Sequence, residues 1–122
     1  MADTPDGRVV ESGTLSDLEV TVGAEVALQL IEMFLDSGPK RVDDLREAVN
    51  GSDVSRAAEI LHSLKSSAWT LGAALLAGLA EQAEQLALKK GPVDELAALM
   101  PAIAEASERT TEYLRSYRER LR

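Results

Sequence analysis

The chain has 122 residues, a length that suits one domain with a single modest core. Hydrophobic residues make up 45% but aromatics only 3%, so the apolar content is mostly Ala, Leu and Val, which argues against a β-sandwich or barrel. The net charge of −8 opposes non-specific nucleic-acid binding, and the lack of cysteine excludes a disulfide frame or a thiolate metal site. Residues 1–13 lack a basic stretch followed by an apolar run, so no secretory signal is expected. No segment reaches about 18 uninterrupted apolar residues, so no membrane span and a cytoplasmic location are expected.

Residues 1–13 hold Gly, Pro, Asp and Ser without apolar periodicity and read as a mobile tail. Thr14 or Ser16 is suited to cap a short helix containing Leu15, Leu18 and Val20, and Gly23 marks a turn or a helix start. From Ala24 the period becomes clear: Ala27, Leu28, Ile31, Phe34 and Leu35 form one helical stripe. Ser37-Gly38-Pro39 interrupts it, and it resumes at Val42, Leu45, Ala48 and Val49 in nearly the same phase. That favours one long helix kinked at Pro39, with a true break as the alternative. Asn50 or Gly51 suits a left-handed helix terminus.

Ser52 or Asp53 is suited to cap the next helix, predicted over residues 54–70 with Val54, Ala57, Leu61, Leu64, Ala68 and Leu71 as its buried seam. Gly72 stands where the chain must bend into the following helix. That helix gains its apolar side from Leu75, Leu76, Leu79, Ala80, Ala83, Leu86 and Ala87, and Lys89-Lys90-Gly91-Pro92 closes it. The last segment is the most regular. Val93, Leu96, Met100, Ile103, Ser107, Thr110, Leu114, Tyr117 and Leu121 recur at steps of three and four, a heptad-like seam. Pro101 within it predicts a kink over residues 96–98, or a break. Arg109, Arg115, Arg118, Arg120 and Arg122 crowd the C-terminal end, where cations complement a helix terminus; a partner-docking patch is the alternative. Long amphipathic helices with short connections predict an all-α fold over residues 14–122, an antiparallel up-down-up-down four-helix bundle with a short extra N-terminal helix.

The chemistry concentrates on His62, the one histidine. On a helix at about 100° per residue, His62, Lys65, Ser66 and Trp69 share a face beside the apolar seam. An imidazole is largely unprotonated and nucleophilic at neutral pH. To accept a phosphoryl group, one ring nitrogen must face solvent, a nearby cation must offset the incoming charge, and the other nitrogen needs an acceptor. Lys65, at i+3, is the candidate cation. Glu84 is the candidate acceptor, because it follows Ala83 on its seam as His62 follows Leu61, and such flanking positions meet in an antiparallel hairpin. Taken singly, Lys65 reads as a solvated side chain, Glu84 as an exposed helix former and Trp69 as packing. Glu59-x-x-His62 is half of a bundle di-iron motif, but no second histidine exists to complete it, so no metal and no cofactor is expected. Gly38-Pro39-Lys40 lacks the spacing of a nucleotide loop, so phosphorylation from ATP by the chain itself is not expected.

The run from His62 to Ala73, HSLKSSAWTLGA, resembles the signature of histidine phosphotransfer (HPt) domains, roughly H-x-L-K-G-S-S-x-x-L-G-A, at His62, Leu64, Lys65, Ser67, Leu71, Gly72 and Ala73. It is also similar to the phosphoacceptor domain of chemotaxis kinases, which has a glutamate at the position of Glu84. The resemblance implies a non-enzymatic phosphocarrier with His62 as phosphoacceptor, Lys65 steadying the phosphoryl group and Glu84 orienting the ring. It implies a partner-binding face of Ser55, Glu59, Ser66 and Trp69, and a structural turn at Gly72. The implied partners are response-regulator receiver domains and a histidine or hybrid kinase, with no nucleic acid and no membrane. The implied Mg²⁺ sits in the receiver, and the carrier is expected to be a monomer. Ser66 replaces the family's glycine, and Trp69 stands where a small residue is usual, so Trp69 is expected to select among receivers. The rival reading is a non-catalytic helical interaction module acting through the last helix. A dimeric kinase core fits less well, since the histidine lacks a Glu-Arg-Thr-Pro context.

Overall fold

Period and capping act first. In a computed structural model, which describes residues 9–121, the stripes become five helices: α1 (Ser12–Val22), α2 (Ala24–Asn50), α3 (Val54–Thr70), α4 (Ala74–Leu88) and α5 (Val93–Leu121). Each helix of α2 to α5 packs on the next, α2 closes the ring against α5, and α1 lies on α2, giving the predicted antiparallel bundle with its extra N-terminal helix. Asp53 caps α3 by accepting the Arg56 N–H at 3.1 Å. Leu45, Leu61, Leu64, Leu76, Ile103 and Leu114 are fully buried at the centre.

The α3–α4 pair is built on small residues. Ala57 and Ala68 of α3 and Ala77, Ala80 and Ala83 of α4 are fully buried. Alanine seams let two helices approach at the short end of the usual 8–10 Å or so. This brings polar side chains flanking the two seams within reach of each other.

Local expectations at the chain start and after α2 are corrected. The mobile tail does not extend to residue 13: Val10 is buried, the Glu11 N–H donates to the Gly72 carbonyl at 2.8 Å, and α1 begins at Ser12 with Glu11 rather than Thr14 or Ser16 at its cap. Residues 1–8 of that tail lie outside the described residues, as does Arg122. The left-handed residue after α2 is Ser52, with φ 57°, while Gly51 keeps φ −89°. As the phase of the stripe favoured, α2 is one helix through Pro39, because Ile31 and Phe34 before it and Val42 and Leu45 after it bury against one core. That packing offsets the roughly 3 kcal/mol a helical proline costs. A methyl on Gly38 would meet the Phe34 ring at 3.0 Å, so this glycine seats an aromatic ring rather than breaking the helix. Pro101 likewise lies inside a continuous α5, whose predicted seam from Leu96 to Tyr117 is buried throughout.

Gly72 makes the turn between α3 and α4 with φ 75°, a conformation that favours glycine. A Cβ there would also strike Thr14 at 2.6 Å, so the same residue lets the start of α1 dock. At the same end of the bundle the Tyr117 hydroxyl donates to Glu19, tying α5 to α1, and the Arg120 guanidinium lies 5.1 Å from the Tyr117 ring centroid. Burial first, and then the Glu19 carboxylate, push the Tyr117 phenol above its ordinary value.

Candidate functional site

His62 lies two turns into α3, beyond the capped first turn, and its side chain is 64% exposed. Ser55, Glu59, Ser66 and Trp69 are exposed on the same side, with Trp69 at 48%. Glu84 is the opposite case: its side chain, on α4, is 7% exposed and lies against the flank of the seam. Its Oε2 is 3.0 Å from His62 Nδ1, and its Oε1 is 2.6 Å from Lys65 Nζ. The predicted cross-helix contact between His62 and Glu84 is therefore present. So is a contact that sequence reasoning missed, the ion pair between Lys65 and Glu84.

The electrostatics follow from this geometry. Burial pushes the Glu84 carboxyl up, but hydrogen bonds from Lys65 and His62, with their charges, outweigh it and hold the group below the ordinary 4.5. An ionised carboxylate only accepts. His62 Nδ1 must then carry the proton and donate it to Glu84, which leaves Nε2 with a free lone pair on the exposed side of the ring. One buried acceptor thus holds Nδ1 of a ring whose side chain is 64% exposed.

Arg41 of α2 donates through Nη1 to Ser67 Oγ at 3.3 Å and to Ser37 Oγ at 3.2 Å, bracing α3 from its other side. Ser67 alone gave no hint of this; the signal lay in an arginine on the neighbouring stripe. Among the described residues no group of three or more His, Cys, Asp or Glu side chains is placed to hold a metal ion, and no helix is long and apolar enough to cross a membrane. An open groove of about 340 Å³ between α2 and α5 is lined by Val42, Arg46, Ser107 and Arg115, and no α3 residue reaches it.

The fold and the site together define a helical bundle presenting one braced imidazole to solvent. The sequence matches the Hpt domain family over residues 29–120, and the chain belongs to that family. The chain is also similar in fold to the crystal structure of histidine-containing phosphotransfer protein B (HptB) from Pseudomonas aeruginosa PAO1. The TM-score is 0.86 at 22% identity, covering 94% of this chain and 98% of that one. No curated protein sequence matches significantly. Hpt domains are phosphocarriers rather than kinases and work with kinases and response regulators, so this chain is a histidine phosphotransfer domain of a phosphorelay.

Proposed function

We propose that His62 is the phosphoacceptor, with Nε2 as the reacting atom. The observation that carries this reading is the Nδ1 contact to buried Glu84 in a ring that is 64% exposed. In the forward step the Nε2 lone pair attacks the phosphorus of a receiver's aspartyl phosphate or of a kinase-bound donor. The P–N bond forms as the P–O bond breaks, and the electron pair leaves with the donor's oxygen. The proton stays on Nδ1, held by Glu84, so the ring needs no external base. The reverse step delivers the group to a second receiver's aspartate.

Glu84 is the positioning residue for the ring. Lys65 keeps Glu84 ionised and, with three N–H donors one turn from His62, also has donors to offer the phosphoryl oxygens. Ser66 keeps the approach to the ring open, and Ser55, Glu59 and Trp69 contact the partner. The partner receiver supplies Mg²⁺, which neutralises phosphoryl charge during transfer. The chain acts as a cytoplasmic monomer without ATP-dependent activity of its own.

His62→Gln tests this directly. Incubated with a radiolabelled phospho-receiver, the variant is expected to lose all acid-labile label while its melting temperature stays within about 2 °C of the parent, since the replaced side chain is largely solvated. Label that persists on the variant removes His62 from the role.

A further inference from the structure

One motif of α3 is left over once His62 is read as a phosphoacceptor. Glu59-x-x-His62 sets a carboxylate and an imidazole three residues apart inside α3, and such positions are neighbours, about 5–6 Å apart at Cβ. Both side chains are exposed, His62 at 64%. A nitrogen and an oxygen donor paired in this way suit a borderline divalent cation such as Zn²⁺.

The surroundings of the ring point the same way. A histidine that binds a metal through one nitrogen almost always donates the N–H of the other to a carboxylate, carbonyl or water, which fixes the ring. His62 has that support: Nδ1 is 3.0 Å from Oε2 of buried Glu84, so the nitrogen left for a ligand is Nε2. Lys65, whose charge would oppose a cation, is engaged with α4, its Nζ 2.6 Å from Glu84 Oε1 and its side chain 21% exposed. Glu59 forms no hydrogen bond or ion pair with any described residue, so its carboxylate is available.

One chain supplies two donors and Zn²⁺ takes four, and among the described residues no third His, Cys, Asp or Glu is placed to join them. The site is incomplete without a second copy, which brings the second histidine that one chain lacks. In an antiparallel dyad between two α3 helices, Glu59 stands opposite the partner's His62. Ser55, one turn before Glu59, then stands opposite the partner's Ser66, one turn after His62. Ser55 and Ser66 are small and exposed, so nothing bulky at these positions holds the helices apart. The net charge of −8 on each chain opposes self-association, and a dication held between two carboxylates offsets that repulsion where the copies meet.

We propose that two copies of this chain bind one Zn²⁺ between them, through Glu59 and His62 Nε2 of each, and that the metal withholds Nε2 from phosphoryl donors. The metal site goes beyond the phosphoacceptor reading, and only its inhibitory effect rests on that reading. One lone pair cannot bond to zinc and to phosphorus at once, so the metal-bound dimer is closed to transfer and the metal-free monomer is competent.

The full-length chain is sedimented in ZnCl₂, in MgCl₂ and in EDTA, and parallel samples are labelled by phosphoramidate, a small P–N donor that needs no partner protein. Wild type is expected at twice the monomer mass with about one zinc per two chains, and as a monomer in EDTA or in MgCl₂, because Mg²⁺ prefers oxygen ligands. In zinc about tenfold above the dissociation constant, labelling should fall roughly tenfold, since only the unliganded fraction reacts, and return with EDTA. Glu59→Gln and His62→Gln should stay monomeric in ZnCl₂, whereas Glu81→Gln, an exposed α4 position outside the site, should dimerise like wild type. A wild type that stays monomeric in excess zinc, or a zinc dimer that survives in both Glu59→Gln and His62→Gln, overturns the metal site. If the EDTA sample is labelled, the phosphoacceptor reading survives that result. A zinc dimer labelled as well as the monomer also overturns the site, because Nε2 is then not its ligand. A chain unlabelled in EDTA overturns the phosphoacceptor reading instead, and sedimentation alone then decides the metal site.

Discussion

The α3–α4 seam and the buried face of α5 both take polar side chains into the bundle, and they handle them in opposite ways. On α5, Ser107, Thr110 and Thr111 are buried, and the Thr110 hydroxyl donates to its own helix at the Ala106 carbonyl, 2.7 Å away. The Thr110 hydroxyl is small and neutral, and an intrahelical carbonyl suffices for it, while the Thr111 hydroxyl is buried with no hydrogen-bond partner. On the α3–α4 seam the buried group is a full charge. Its two partners come from a different helix, and one of them, His62, reaches water. The difference teaches where chemistry resides in a helical bundle. A polar group served by its own turn contributes to packing. One that must be served across a helix pair fixes the register of that pair and orients whatever lies at its wet end.

Removing the cross-helix acceptor should have the largest consequence. Glu84→Ala leaves the Lys65 ammonium, only 21% exposed, facing an emptied site, and frees the imidazole. The expected loss is about 2–4 kcal/mol in urea unfolding, with receiver-driven labelling of His62 down by about tenfold or more. A fully stable, fully active Glu84→Ala would erase the contrast between the two regions.

A smaller effect follows from protonation. The Glu84 carboxyl is depressed on folding, so the unfolded chain binds its proton first as pH falls. The contribution of Glu84 is therefore complete above the ordinary carboxyl value of 4.5 and is lost as pH drops through the lower folded value. Unfolding measured from pH 7 down to pH 3 or so should show the gap between wild type and Glu84→Gln narrowing on that acid limb. A gap that widens toward acid would reverse the sign and contradict the ionised carboxylate. The smallest effect belongs to α5. Thr110→Val exchanges a locally satisfied hydroxyl for a methyl of similar shape, and a change below about 1 kcal/mol with unaltered labelling is expected. A cost equal to that of Glu84→Ala would mean the two regions do not differ as described.

Local information was legible from the residues alone wherever it repeats every three or four positions. The span of α3, its Asp53 cap, the buried seam of α5 and the exposed face with His62, Ser66 and Trp69 all follow from i to i+4 spacing and capping chemistry. The partnership of Glu84 with His62 was within reach too, because antiparallel hairpins bring seam-flanking positions together. Other features depended on surroundings that no window of sequence contains. Pro39 left a break open beside the favoured single helix, and Pro101 left a kink or a break; packing on both sides holds α2 and α5 continuous. The start of α1 was hidden because Val10 and Glu11 are ordered by the α3–α4 turn at Gly72, far along the chain.

By itself, then, the sequence determined which segments are helical, which side of each is apolar, and which imidazole stands at the edge of a seam, because those properties are periodic and local. Only the tertiary structure decided that Glu84 is buried and that Lys65 pairs with it and helps hold it ionised. Each of these depends on how far one helix is slid along another. That offset is set by the close packing of buried alanines on both helices at once, a quantity no single stretch of residues encodes.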